Sequence, residues 1–231
     1  MSKAHIGFVG LGLMGRAMVS RLLDKGYTVS VLENRERYGI EDALARGAKE
    51  ASSARMLAEH ADIVMLCMGK SEHVEARVLG PDGLLEGIKP NQVVIDFGTS
   101  LPASTRKIGE LFAKKAAVFL DAPLGRTPSH AYEGKLNIMA AGPKETYFQI
   151  LPILHDLGEN VFHLGALGSG HTIKLINNFF GMTIANAMAE AFAMADVAGV
   201  DRAQLYDVMA AGPLHSGMMG FVKAYGVDGD P

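Results

Sequence analysis

Several features that mark large classes of protein are missing from this sequence. It holds a single cysteine, Cys67, so no internal disulfide can form and the stapled frameworks of small secreted domains are excluded. Cys67 lies in the apolar run 63–68, which predicts a buried, unreactive thiol. Positive charge is not in excess. The formal net charge is −3, whereas a nucleic-acid partner held by a basic surface needs clustered Lys and Arg. The histidines are scattered, without ligand spacing to acidic or cysteine partners, so no metal is expected. The start of the chain lacks the basic segment and apolar stretch of a signal peptide, and a cytoplasmic setting is the expectation. No long apolar run stays free of polar groups either. The most hydrophobic one, 175–194, contains Asn177, Asn178, Asn186 and Glu190, which are costly in lipid. It reads as a buried helix, and no membrane partner is expected. Internal repeats and low-complexity tracts are absent as well.

What is present is globular: 48% of residues are hydrophobic and 20% charged, enough apolar side chain for a sizeable core. Apolar, β-prone runs at 5–9, 28–32, 63–68, 92–97, 118–120, 137–141 and 160–164 alternate with amphipathic segments at 14–25, 52–60, 72–79, 103–114 and 144–157. Continuous apolar strands separated by helices predict an α/β fold, a doubly wound and mostly parallel sheet covered on both faces. Near 165–170, GALGSG, the pattern changes. From there to about residue 200 the chain is Ala- and Met-rich without a strand signal, which predicts one helix of some 30 residues, about 45 Å long. A shorter helix over 202–211 should follow Asp201 as its N-cap. The predicted organisation is thus a Rossmann-type domain over 1–164 and an all-α domain over 165–231. So long a helix in so small a region needs covering, which predicts a homo-oligomer (dimer or tetramer) and a second domain that reads as incomplete at its C-terminal end.

The first strand runs into Gly10-Leu11-Gly12-Leu13-Met14-Gly15, a G-x-G-x-x-G. The first glycine permits a tight turn, the second admits a pyrophosphate close to the backbone, and the third lets the helix pack on the strand. The helix N-terminus then offers its partial positive charge to the phosphates. Glu33, 18 residues after Gly15 at the end of the second strand, has the spacing of a ribose-hydroxyl ligand. A carboxylate there suits NAD. The following Asn34-Arg35 leaves NADP open, because an arginine can meet a 2′-phosphate.

Lys174 lies near the start of the long predicted helix among apolar and amide residues, with Asn177 beside Asn178 and Asn178 one turn on. Burial and a helix N-terminus both destabilise an ammonium, so a lysine here can give and take a proton near neutral pH. Asn178, at i+4, shares its face. Pattern alone leaves equally open a lysine that simply reaches solvent.

Four blocks in order, FVGLGLMGRAM, Asp96-Phe-Gly-Thr99, Asp121-Ala-Pro123 and Gly170-His-Thr-Ile-Lys174-Leu-Ile-Asn177-Asn178, make the chain resemble the β-hydroxyacid dehydrogenase family, the 3-hydroxyisobutyrate dehydrogenase-like enzymes. The resemblance implies a nicotinamide-dependent oxidoreductase that interconverts a small anionic β-hydroxy acid and its aldehyde or ketone. It implies Lys174 as general acid/base with Asn178 at its side, Thr99 on the nicotinamide side, and a loop of Cys67, Met68 and Gly69 along the cofactor. That loop departs from the family's usual Leu-Pro. After Pro123 the family continues Val-Ser-Gly-Gly, whereas this chain reads Leu124-Gly125-Arg126-Thr127, as in sulfolactaldehyde reductase, to which it is similar here. A guanidinium with a neighbouring hydroxyl suits a sulfonate or carboxylate head, so Gly125, Arg126, Thr127 and Asn177 are expected at the substrate, with His215 as a weaker candidate. An NADP-dependent glyoxylate or succinic semialdehyde reductase is the alternative enzyme. A non-catalytic dinucleotide-binding scaffold is the alternative of another class.

Overall fold

The computed structural model describes residues 3–32 and 37–230. In chain order the elements are β1 (His5–Val9), α1 (Leu13–Asp24), β2 (Thr28–Leu32), α2 (Tyr38–Ala45), β3 (Lys49–Ala51), α3 (Ala54–His60), β4 (Ile63–Leu66), α4 (Ser71–Leu79), α5 (Leu84–Gly87), β5 (Val93–Asp96), α6 (Pro102–Lys114), β6 (Val118–Asp121), β7 (Leu124–Gly125), α7 (Pro128–Glu133), β8 (Leu136–Ala140), α8 (Lys144–Leu157), β9 (Gly158–His163), α9 (Ser169–Ala198), α10 (Arg202–Ala210) and α11 (Gly217–Gly226). They form two compact units, Met1–Lys174 and Leu175–Pro231. The division falls inside α9, not at the glycine-rich stretch 165–170.

The first unit is a parallel six-stranded sheet of order β3-β2-β1-β4-β5-β6. Its central strands are apolar on both faces because helices cover both. On β1, Ile6 and Phe8 enter one core cluster and Val9 the other; on β5, Val93 and Ile95 enter the first and Val94 the second. This period-2 alternation between two cores is the signature of a doubly wound sheet. Strand order reverses between β1 and β4, where such folds bind their ligands beyond the carboxyl ends.

The last two predicted strands do not extend this sheet. They form a second sheet, β7-β8-β9, in which β7 runs antiparallel to β8 and β8 parallel to β9. The two-residue β7 and the exposed edge strand β3 were not expected, since neither is long enough to show a period.

In the second unit α9 has the predicted 30 residues, and Asp201 caps α10 by accepting from the Gln204 N–H at 3.0 Å. The unexpected α11 carries three glycines. Ser216 caps it by accepting from the Met219 N–H, and Met219 buries itself with Met188 and Phe192. No helix of the described residues is long and apolar enough to cross a membrane.

Candidate active site

The turn from β1 into α1 has the shape a pyrophosphate requires. Gly10 lies at φ +99°, and a Cβ there would stand 2.3 Å from the Cys67 carbonyl oxygen. A Cβ on Gly15 would stand 1.8 Å from the Gly10 carbonyl oxygen. Both therefore exist as glycine for intramolecular reasons. Gly12 is different: among the described residues, a Cβ there would meet nothing within 4 Å. Its bareness serves no contact with them and leaves room for something that approaches the backbone. α1 also begins without a side-chain cap on Gly12, so its first N–H groups remain available to an anion. Leu11, Leu13 and Met14 complete the loop, Leu13 largely exposed. The residues present thus fit a dinucleotide. Glu33, Asn34 and Arg35, expected at its ribose, lie outside the described residues.

Two further loops leave the same sheet edge. Past β4, Cys67, Met68 and Gly69 follow the strand, and the Cys67 thiol is pushed up to about 12 by burial and by Asp96. It is an inert thiol, as its apolar run suggests. Past β5, Thr99 is half-buried between Gly98 and Ser100. Both flanking residues are held by Asp96, which accepts from the Gly98 N–H and the Ser100 hydroxyl, each at 2.8 Å.

Asp121 closes β6 and reaches the start of α9. Its carboxylate accepts from the Gly168 and His171 N–H groups, each at 2.7 Å. His171 is wholly inaccessible, its Nδ1 2.8 Å from the Thr105 hydroxyl. Lys174 follows three residues later on the same helix. It is half-buried, and burial holds its amine below the ordinary lysine range. Asn177 and Asn178 continue α9, Asn177 exposed and Asn178 half-buried.

Arg126 stands at φ +76°, and its Nη1 donates to the Lys135 carbonyl at 2.7 Å and to Glu159 at 2.5 Å. Its charge is answered within the chain by Glu159. Thr127 bonds its own neighbours, Ser129 and His130, each at 2.7 Å. Gly125 pairs with Asn137 in the second sheet. His215 is exposed before α11. His163 ends β9 as expected, beside the Tyr147 ring.

Sequence reading named His171, Asp96 and Asp121 only within motifs and gave none of them a role. A signal was there: His171, Lys174 and Asn178 fall at i, i+3 and i+7, one stripe of a helix.

Residues 5–165 match the model of the NAD binding domain of 6-phosphogluconate dehydrogenase, and 168–226 match that of the NAD-binding domain of NADP-dependent 3-hydroxyisobutyrate dehydrogenase. The chain is 35% identical over 204 residues to the 3-hydroxyisobutyrate dehydrogenase of Pseudomonas aeruginosa, covering 88% of this chain and 68% of that one. It belongs to the 3-hydroxyisobutyrate dehydrogenase-like family of β-hydroxyacid dehydrogenases. Family membership makes it an NAD(P)-binding oxidoreductase of the class that acts on CH–OH groups. Another family member, the NAD-dependent L-serine dehydrogenase of the same organism, is 34% identical, covering 89% of this chain and 68% of its own. Among solved structures, Mycobacterium tuberculosis 3-hydroxyisobutyrate dehydrogenase with L-serine superposes with a TM-score of 0.84 at 27% identity, covering 93% of this chain and 72% of that one.

Proposed function

We propose that the chain oxidises the hydroxyl of a small carboxylate-bearing β-hydroxy acid, and runs the reverse reduction, with Lys174 as the proton carrier. The observation that carries this reading is the half-buried Lys174 amine, held below its ordinary range, on the helix whose first turn is bound to the carboxyl ends of β5 and β6. When bound, the nicotinamide exchanges hydride with the carbinol carbon. Lys174 takes the hydroxyl proton during oxidation and returns it during reduction, and burial, which lowers its pKa, favours the neutral amine that accepts the proton. Gly10, Gly12, Gly15 and the open start of α1 seat the pyrophosphate. Glu33, an acidic residue 18 positions after Gly15 in the sequence, favours NAD over NADP. Thr99 lies on the nicotinamide side, with Cys67, Met68 and Gly69 along the cofactor, and Asn177 and Asn178 orient the substrate.

The Arg126–Glu159 pair removes the main support for a sulfonate substrate such as sulfolactaldehyde, and the relatives named for 3-hydroxyisobutyrate and L-serine favour a carboxylate. The exposed Phe179, Phe180 and Phe221 of the second unit favour a homo-oligomer. The test is cofactor reduction at 340 nm with both nicotinamide cofactors and a panel of β-hydroxy acids, each repeated with Lys174→Ala. Loss of turnover by about 100-fold or more is expected for that variant. Undiminished turnover would remove Lys174 from the chemistry. Cofactor binding without turnover of any panel member would favour a dinucleotide-binding scaffold.

A further inference from the structure

One buried cluster of ionisable groups in the first unit takes no part in the reaction as described. Asp96 and Asp121 are register partners at the carboxyl ends of β5 and β6, and His171 sits against both. All three are almost wholly buried. Each carboxyl has a separate task. Asp121 supplies acceptors to the first turn of α9, and Gly170 lets that turn come close, since a Cβ there would lie 2.3 Å from the Met139 carbonyl oxygen and 2.8 Å from Asp121 itself. Asp96 shapes the loop that carries Thr99.

The His171 ring spans these two assemblies. Its Nδ1 edge is bonded to Thr105 of α6. Its Nε2 edge faces Asp96 Oδ2 at 3.7 Å and, among the described residues, is a buried polar atom with no hydrogen-bond partner. Such an atom is costly unless a neighbour completes a bond, and Asp96 Oδ2 is the carboxylate oxygen that faces it, with the Gly98 backbone alongside. The link works in either protonation state. With the proton on Asp96, its O–H donates to Nε2 while Nδ1–H donates to the Thr105 oxygen. With Asp96 ionised, Nε2–H donates to the carboxylate and the Thr105 hydroxyl donates to Nδ1. The other ionisable groups facing Asp96 are Asp121 and the Cys67 thiol.

We propose that His171 is a positioning residue: through its Nε2 edge and Asp96 it ties the Thr99 loop to the first turn of α9, and so sets the direction from which Lys174, its i+3 neighbour, meets the substrate. The proposal rests on the reading of Lys174 as proton carrier. Burial supports a ring that serves by hydrogen bonding, since it pushes the imidazole down to about 4, the Gly98 backbone opposing, and keeps it neutral at working pH.

Two near-isosteric substitutions separate the edges of the ring. His171→Gln places its terminal amide near Nε2 and keeps the link to Asp96. His171→Asn places it near Nδ1, keeping Thr105 and losing the link. The expected result is that His171→Gln holds kcat to within about 3-fold, while His171→Asn loses about 30-fold in kcat with KM for the dinucleotide little changed, the scale of a reacting group displaced by about 1 Å. A readout independent of turnover is the titration of the Lys174 amine, followed by the pH dependence of its acetylation in mass spectrometry. It should stay depressed in His171→Gln and return toward an ordinary lysine in His171→Asn. Asp96→Asn, whose amide can donate to Nε2, should retain kcat to within about 3-fold and serves if His171→Asn does not fold. The proposal is overturned if His171→Asn matches the native enzyme in kcat and amine titration, if both His171 variants lose activity only in step with folded protein, or if folded Asp96→Asn is inactive. A native Lys174 that titrates as an ordinary lysine would instead remove the underlying reading, and the proposal with it.

Discussion

The two compact units are built on opposite terms. The first buries its apolar side chains in two clusters, one on each face of a six-stranded sheet. The second, among its described residues, has a small buried cluster of Met188, Phe192 and Met219, with Ala195 also buried and a fringe of partly buried side chains. Meanwhile Phe179, Phe180, Met182, Val197 and Phe221 are exposed. A sheet closed by helices on both sides satisfies itself. A single long helix that is apolar round much of its circumference does not. The first unit therefore buries most of its apolar surface within itself, whereas the second leaves much of its own exposed.

Core deletion in the first unit sharpens this contrast most. Phe112 is wholly buried and stacked on Phe119 at 5.3 Å. Phe112→Ala should cost about 3–5 kcal/mol in chemical denaturation, a loss the first unit would escape only if its core were loosely packed.

The next effect is a pH dependence seated in the first unit. The Asp96 carboxyl is raised to about 6, chiefly by burial, from roughly 4 in an unfolded chain, so its contribution is full in acid and is lost as pH rises through about 6. His171, lowered to about 4 from roughly 6.5, contributes the opposite sign: its stability is present above 6.5 and lost as pH falls toward 4. Between about 4 and 6 the two proton counts offset. Asp96→Asn removes one of them, so relative to the native protein its stability should climb by about 1.4 kcal/mol per pH unit across that window. Parallel stability curves for the two proteins would contradict this assignment.

A smaller effect is expected in the second unit. Phe179→Ala should leave the unfolding of dilute protein nearly unchanged yet weaken self-association about tenfold by sedimentation, as for an aromatic anchor at an interface. Identical association constants would mean that this face is not the one covered. Smallest in stability is Gly12→Ala, which meets no neighbour among the described residues and should change unfolding by less than about 0.5 kcal/mol. Its dinucleotide affinity should nonetheless fall about tenfold by titration calorimetry, because the methyl occupies the pyrophosphate's place.

The long periodic elements were legible from residues alone. α8 and α9 have the lengths expected, and the strands of the main sheet other than β3 differ from expectation only at their ends. Short elements were not. β7 has two residues and β3 three, too few for alternation to register, and the glycines of α11 hide a helix that its Ser216 cap and Met219 anchor sustain. At the cofactor turn, the fingerprint glycines were readable because turn chemistry acts locally. The surroundings of Arg126 and His171 were not readable for one reason: each is defined by a partner far away in sequence, Glu159 in one case and Asp96 in the other.

The sequence by itself determined the order of strands and helices, the glycine turn for a pyrophosphate, and the family whose motifs run through the chain, because each depends on neighbours a few residues apart. Only the tertiary structure decided that β8 and β9 leave the main sheet, that Arg126 is spent on Glu159, and that two buried carboxyls converge on His171. Those outcomes depend on which distant groups burial forces together, and on the demand that polar atoms removed from water find partners there.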